Sequence, residues 1–260
     1  MKRRNIVKRL IASVATFAIA VTMLAPMTVE AAPSYSKKQV VYLRSKGGSG
    51  STSVSIGNIA KGQKIVGATS SNKAVAKPSG YYNWTGNYKD FDNSEYNYDN
   101  ADGHVDVTLY KTGKATISTK IGKSTKSYKT YKTELTVKAY DNPIKKFTIT
   151  GVNSGKDLSK KFAKQAWQWG TLSKSAKSAK IQVSADTSDG WKIQSIEYST
   201  YSNSDGSHSS RYLNYPKGKS SVSMSVGTIS YKTGADIYVR FVNSKTGGTM
   251  SCSYYIEPNN

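Results

Sequence analysis

Val107-Thr108-Leu109-Tyr110-Lys111-Thr112-Gly113-Lys114-Ala115-Thr116-Ile117-Ser118 is the stretch that decides the fold. Apolar and polar residues alternate on both sides of Gly113, with Val107 and Leu109 before it and Ala115 and Ile117 after it. In extended backbone successive side chains point to opposite faces, so a period of two marks strands with one buried face each. Gly113 falls where the chain must turn, and glycine reaches positive φ without steric cost. The stretch is expected to form a hairpin that closes one edge of a β-sandwich, its four apolar residues facing the core.

The same alternation recurs outward from it. Strands are predicted at 39–43, 53–59, 63–68, 74–77, 105–110, 114–120 and 134–139, then at 145–150, 180–185, 191–198, 221–226, 236–243 and 249–256. Asp141-Asn142-Pro143 separates the two sets, because proline cannot donate to a ladder. One segment departs from the pattern. Leu158, Phe162, Ala166 and Trp169 recur at helical steps, which predicts a short helix or turn leading into a loop at 173–180. Trp167 and Trp169 would share a face only if the segment were extended, and both are expected to serve core or inter-domain packing.

The N-terminus carries Lys2, Arg3, Arg4, Lys8 and Arg9, then an apolar run from Leu10 to Ala25 broken at Pro26. Val29 and Ala31 supply the small residues of a cleavage site, so residues 1–31 read as a cleaved signal peptide. Neither a spanning segment nor a sorting motif follows, so no integral membrane anchor is expected and the chain is placed outside the cell, secreted or wall-associated. The 229 residues that remain suit two sandwiches of roughly 100 residues. The expected fold class is all-β, with two immunoglobulin-like β-sandwich domains in tandem at 34–142 and 143–260. The only cysteine, Cys252, alternates with polar neighbours and is expected to point inward beside Met250 and Tyr254.

The whole chain holds 38 basic and 16 acidic residues; without the leader's five basic residues and Glu30, 33 and 15 remain, a formal +18. This charge divides evenly between the two halves, so no single basic patch stands out. It suits an extracellular anionic polymer as partner, and it equally suits lysines that keep the surface soluble and strand edges apart.

Ala68-Thr69-Ser70-Ser71-Asn72-Lys73-Ala74-Val75-Ala76 followed by residues 107–118 resembles the bacterial immunoglobulin-like domains of group 2, the invasin/intimin type. Lys61-Gly62-Gln63 is similar to the opening of that family, and 134–137 to its last strand, so the resemblance covers about residues 36–140. It implies a bacterial surface or secreted protein acting as adhesive module, spacer or companion of glycan-active enzymes, without implying a ligand.

The sequence departs from that family at 79–104, where a long insertion replaces a short connection. Tyr81, Tyr82, Trp84, Tyr88, Phe91, Tyr96 and Tyr98 place seven aromatics in eighteen residues, with Asp90, Asp92, Glu95 and Asp99 among them. Aromatic faces stack on sugar rings while carboxylates accept their hydroxyls, so the candidate ligand-binding residues are Tyr81, Tyr82, Trp84, Tyr88, Phe91, Asp92, Tyr96 and Tyr98. The same composition serves protein recognition, or packing against the sandwich. Asp90, Asp92, Glu95 and Asp99 have the oxygen ligands calcium uses but not the spacing of an EF-hand loop.

His104 and His208 are the only histidines and lie far apart in sequence, and no nucleophile elbow, phosphate loop or metal-ligand spacing is present. The chain reads as a non-enzyme without a cofactor, expected to be a monomer. Its partner is expected to be an anionic wall or extracellular polymer, a glycan or a surface protein, and no specific nucleic acid. The exported polypeptide should begin at Ala32; intact-mass measurement on secreted material checks this, and retention of residues 1–31 would contradict it.

Overall fold

The computed structural model describes residues 32–259 apart from 85–87, 90–94, 97–100 and 202–207, with side chains undescribed at 84–101 and 201–208. The expected signal peptide lies outside the described residues. The described residues form eighteen strands, most of which follow the alternation. The first ten are β1 (Ser34–Tyr35), β2 (Lys38–Tyr42), β3 (Gly50–Ile59), β4 (Lys64–Ser70), β5 (Ala76–Trp84), β6 (Tyr88–Lys89), β7 (Glu95–Tyr96), β8 (Ala101–Leu109), β9 (Gly113–Ser124) and β10 (Ser127–Lys138). The other eight are β11 (Ile144–Ile149), β12 (Trp167–Thr171), β13 (Ala176–Ala185), β14 (Trp191–Tyr201), β15 (His208–Lys219), β16 (Ser221–Ile229), β17 (Gly234–Asn243) and β18 (Thr249–Glu257).

The fold is an all-β sandwich. A sheet ordered β1-β3-β8-β5 packs on the β2-β10-β9-β4 end of a nine-stranded sheet. Val54, Ile56, Val105, Val107, Leu109, Ala115, Ile117, Leu135 and Val137 fill the space between them. At its other end the long sheet runs β15-β14-β17-β18 with β12 beside β18, facing a sheet ordered β11-β13-β16. There Phe147, Ile181, Val183, Trp191, Ile237, Phe241 and Tyr254 form a second core. Residues Pro33–Asn260 make one compact unit.

The 107–118 stretch is not a hairpin. Its four apolar residues are buried as the alternation requires, and Gly113 adopts φ 141°. However, β8 pairs with β3 and β5, whereas β9 pairs with β10 and β4, so residues 110–112 cross from one sheet to the other and Gly113 opens β9 at the end of that crossover. A Cβ there would sit 2.9 Å from Val75 Cγ2 inside the core, too close for the crossover to keep its path. Alternation fixes which face a residue takes, but it does not fix which strand lies beside it.

The two cores meet on β2. Its alternate residues Val41 and, just beyond it, Leu43 enter the first core, while Tyr42 enters the second. The Tyr42 ring lies 4.8 Å from that of Trp191, and its hydroxyl is 3.1 Å from Thr246 Oγ1. The Trp191 indole donates to Asp141 Oδ2 at 2.8 Å, and Tyr140 donates to the Phe162 carbonyl at 2.5 Å. Backbone bonds from Ala166 to Arg44 and from Lys46 to Lys164 bind the stretch after β2 to the entry of β12.

Residues 158–169 divide between two conformations. Leu158 and Phe162 are buried in and beside a 3-10 turn at Ser159–Ala163, which agrees with the helical spacing, but Trp167–Thr171 is a strand parallel to β18. The expected loop at 173–180 shortens, because β13 already begins at Ala176. Trp191→Ala removes the largest fully buried side chain among the described residues and should cost about 3–5 kcal/mol in urea unfolding, whereas Asp141→Ala, which leaves an indole N–H unpaired, should cost about 1–3 kcal/mol.

Candidate functional site

Three surfaces present exposed aromatic or charged side chains. The first is the insertion. β5 and β8 pair as the two arms of a long antiparallel ribbon, and β6 pairs with β7 between them. The Asn83 amide holds β5 to the opposite sheet, accepting from the Ile65 N–H at 2.7 Å and donating to its carbonyl at 3.4 Å. Tyr81 and Tyr82 are each about half exposed at the outer edge of β5. Tyr82 lies in register with His104 and Ser55; its ring is 5.2 Å from the imidazole, which is hydrogen-bonded to Ser55 at 3.2 Å. The side chains of Trp84, Tyr88, Phe91, Asp92, Tyr96 and Tyr98, and of Asp90, Glu95 and Asp99, lie outside the described residues. Among the described residues no cluster of three His, Cys, Asp or Glu side chains is placed to hold a metal.

The second surface is the outward face of β4-β9-β10-β2. Inward positions of these strands are mostly apolar, with buried Thr119 and Thr133 among them, and lysines and hydroxyls take most of the outward ones. Lys37, Lys38 and Lys132 surround a shallow groove of about 590 Å³ with Ser71, Thr116 and Ser118 on it and Glu134 among the lysines. Tyr35, at one side, packs edge-on against Tyr131 at 5.4 Å.

The third surface is the outward face of β12-β18-β17-β14-β15, which sequence reasoning missed. Against the expectation of core or inter-domain packing, Trp167 and Trp169 are 38% and 55% exposed. The reason is local. Gly170 faces inward, where a Cβ would collide with the Tyr254 hydroxyl, so β12 lies flat on Tyr254 and both tryptophans point away. Arg44 lies 5.7 Å from the Trp167 ring centroid. Tyr212, Tyr238 and Tyr255 are also exposed on this side. Period two in Trp167-Gln168-Trp169 and in Ile237-Tyr238-Val239 was the available signal, and helical spacing from Leu158 to Trp169 concealed the first of these.

Beneath that face Cys252 is buried as expected, and burial pushes its thiol pKa up, with Arg44 opposing. Asp236 is half-buried on β17, and its Oδ1 has no hydrogen-bond partner. Burial raises its carboxyl above the ordinary range, the Ile237 amide lowers it and the Glu197 charge raises it.

No protein-family model matches the chain, and no curated protein matches it. Solved structures that resemble it include the tandem Ig repeats of Dlar, 13% identical over 86% of this chain and 97% of that one, with a TM-score of 0.34. The Yersinia pseudotuberculosis adhesin InvE is 10% identical over 86% of this chain and 58% of that one, with a TM-score of 0.22. The zebrafish RET cadherin-like domains are 11% identical over 88% of this chain and 51% of that one, with a TM-score of 0.27. All three are β-sandwich proteins. The resemblance to the group 2 family is thus not matched by a family model, and the fold assignment above rests on the sheets of this chain.

Because the native state holds the Asp236 proton more tightly than the unfolded chain does, this group destabilises the fold once pH rises through its raised pKa. Asp236→Asn should therefore raise the melting temperature at pH 7. The gain should vanish below the ordinary carboxylate value of about 3.9, where both side chains are neutral. Thermal melts across that range check it.

Proposed function

We propose that the chain is an exported bacterial interaction module of two tandem immunoglobulin-like domains, residues 34–142 and 143–260. In this reading it is retained outside the cell by an anionic polymer bound to the β4-β9-β10-β2 face. The observation that carries this reading is the groove of Lys37, Lys38 and Lys132 over Ser71, Thr116 and Ser118. Ammonium groups are compact point charges on flexible stems, suited to phosphate or carboxylate groups that vary in position along a polymer. Neighbouring hydroxyls add donors without adding charge. Teichoic acids and acidic polysaccharides have this chemistry. Glu134 lowers the local charge, so binding is expected to be moderate and to depend on the charge of the whole surface.

A second reading, a polysaccharide held by the insertion, is favoured by the exposed Tyr81 and by the exposed Tyr82, whose ring lies beside His104. Tyr82→Ala tests it separately, because that ring lies on the other sheet.

Binding to purified cell walls or to a teichoic-acid matrix across a salt series tests the first reading. Association should weaken as salt shortens the screening length, which is roughly 8 Å at physiological ionic strength. Replacing Lys37, Lys38 and Lys132 by glutamine should lower the slope of log affinity against log salt by about 2. Binding that ignores both salt and the triple substitution would contradict it.

A further inference from the structure

The pairing register aligns the third surface into a straight row. Trp167 on β12 is opposite Ser253 on β18, Ser253 is opposite Tyr238 on β17, Tyr238 is opposite Glu197 on β14, and Glu197 is opposite Tyr212 on β15. Residues directly opposite on adjacent strands project to the same face, so all five point outward. Aromatics thus occupy the first, third and fifth strands, with a hydroxyl and a carboxylate on the strands between. With neighbouring strands about 4.8 Å apart, successive rings in the row are spaced by roughly 10 Å.

We infer that this row binds an extended, uncharged, β-linked polysaccharide laid across the strands. A pyranose in such a chain spans close to one strand spacing. Every second sugar therefore meets an aromatic face, and the sugars between present hydroxyls to Ser253 and Glu197. Ring C–H groups pack on the indole and phenol faces, and the carboxylate accepts the hydroxyls' hydrogen bonds.

Charge selects the occupant. In a chain with 38 basic residues, this row and the two beside it, Trp169-Tyr255-Asp236 and Ser251-Arg240-Ser195, contain no lysine. Their charged groups, Glu197, Asp236 and Arg240, together with Arg44 against the Trp167 ring, cancel, which suits a neutral ligand rather than the anionic polymer proposed for the other face. The rings recur at every second strand, a constant interval that a repeating polymer matches along its length and the irregular surface of a protein partner does not. The inference does not depend on the lysine groove, which lies on other strands.

Calorimetric titration of the whole chain with soluble glucomannan, xylan and hydroxyethylcellulose at low and high salt tests it. At least one of the three should bind with an affinity that salt leaves unchanged. Trp167→Ala, Tyr238→Ala and Tyr212→Ala should each weaken that binding roughly tenfold, stacking on a flat ring being the guide. Trp167→Phe should recover part of the loss, and Tyr128→Ala, an exposed ring on β10, should change nothing. These positions are exposed, so circular dichroism should show each variant folded. Four outcomes would overturn the inference: failure of all three polysaccharides to bind, binding that survives the three alanine variants, binding abolished by salt, or a dimer in light scattering that Trp167→Ala dissociates. Loss of wall binding through the lysine groove, with glucan binding intact, would separate the two proposals.

Discussion

Strand β2 is the constraint on which the rest of the molecule depends. A strand buried on one side offers its alternate residues to one core; β2 has a core on each side. Val41 contributes to the first and Tyr42 to the second, with Leu43 returning to the first. Its ladder to β10 is parallel over five residues, and Thr249 of β18 pairs with Val41 on its other edge. The two cores are therefore joined by packed side chains and backbone bonds rather than by the 141–143 connection alone. Trp191 extends the joint, placing its ring against Tyr42 and its N–H on Asp141.

With both cores closed in this way, the outward faces are what remains to act, and strand periodicity gives them different chemistry. On β9 and β10 the outward positions hold mainly lysine, threonine and serine, with Glu134 and Tyr128 among them, beside the inward Ala115, Ile117, Leu135 and Val137. On β17 and β18 they hold tyrosine, serine, aspartate and arginine, with Val242, Thr249 and Glu257 at the strand ends, beside the inward Ile237, Val239, Cys252 and Tyr254. One face offers mobile positive charge and the other offers flat rings with balanced charge. Fixed strand registry matters only to the second, because a ligand that stacks on three rings at once needs them held at constant spacing.

Where a strand had one buried face, the sequence made it legible. The cores around Val107, Ile117, Ile181 and Phe241 follow directly from alternation. Neighbour relations were not legible: β8 and β9 are consecutive and both alternate, yet they lie in opposite sheets. Strand β15 escaped notice because it is an edge strand, with Pro216 tolerated there and few apolar residues to alternate. The third surface was hidden by a coincidence of spacing, since Leu158 and Phe162 pack in and beside a 3-10 turn while Trp167 and Trp169 belong to a strand. Of the candidate site in the insertion, Tyr81 and Tyr82 are exposed at the edge of β5, a position their sequence neighbours alone do not specify.

Differential scanning calorimetry of the mature chain tests the shared-strand joint most directly. Cores joined through β2 should unfold in one transition whose calorimetric and van't Hoff enthalpies agree. Two resolved transitions, each with its own enthalpy, would contradict the account, because they would mean that either core persists without the other.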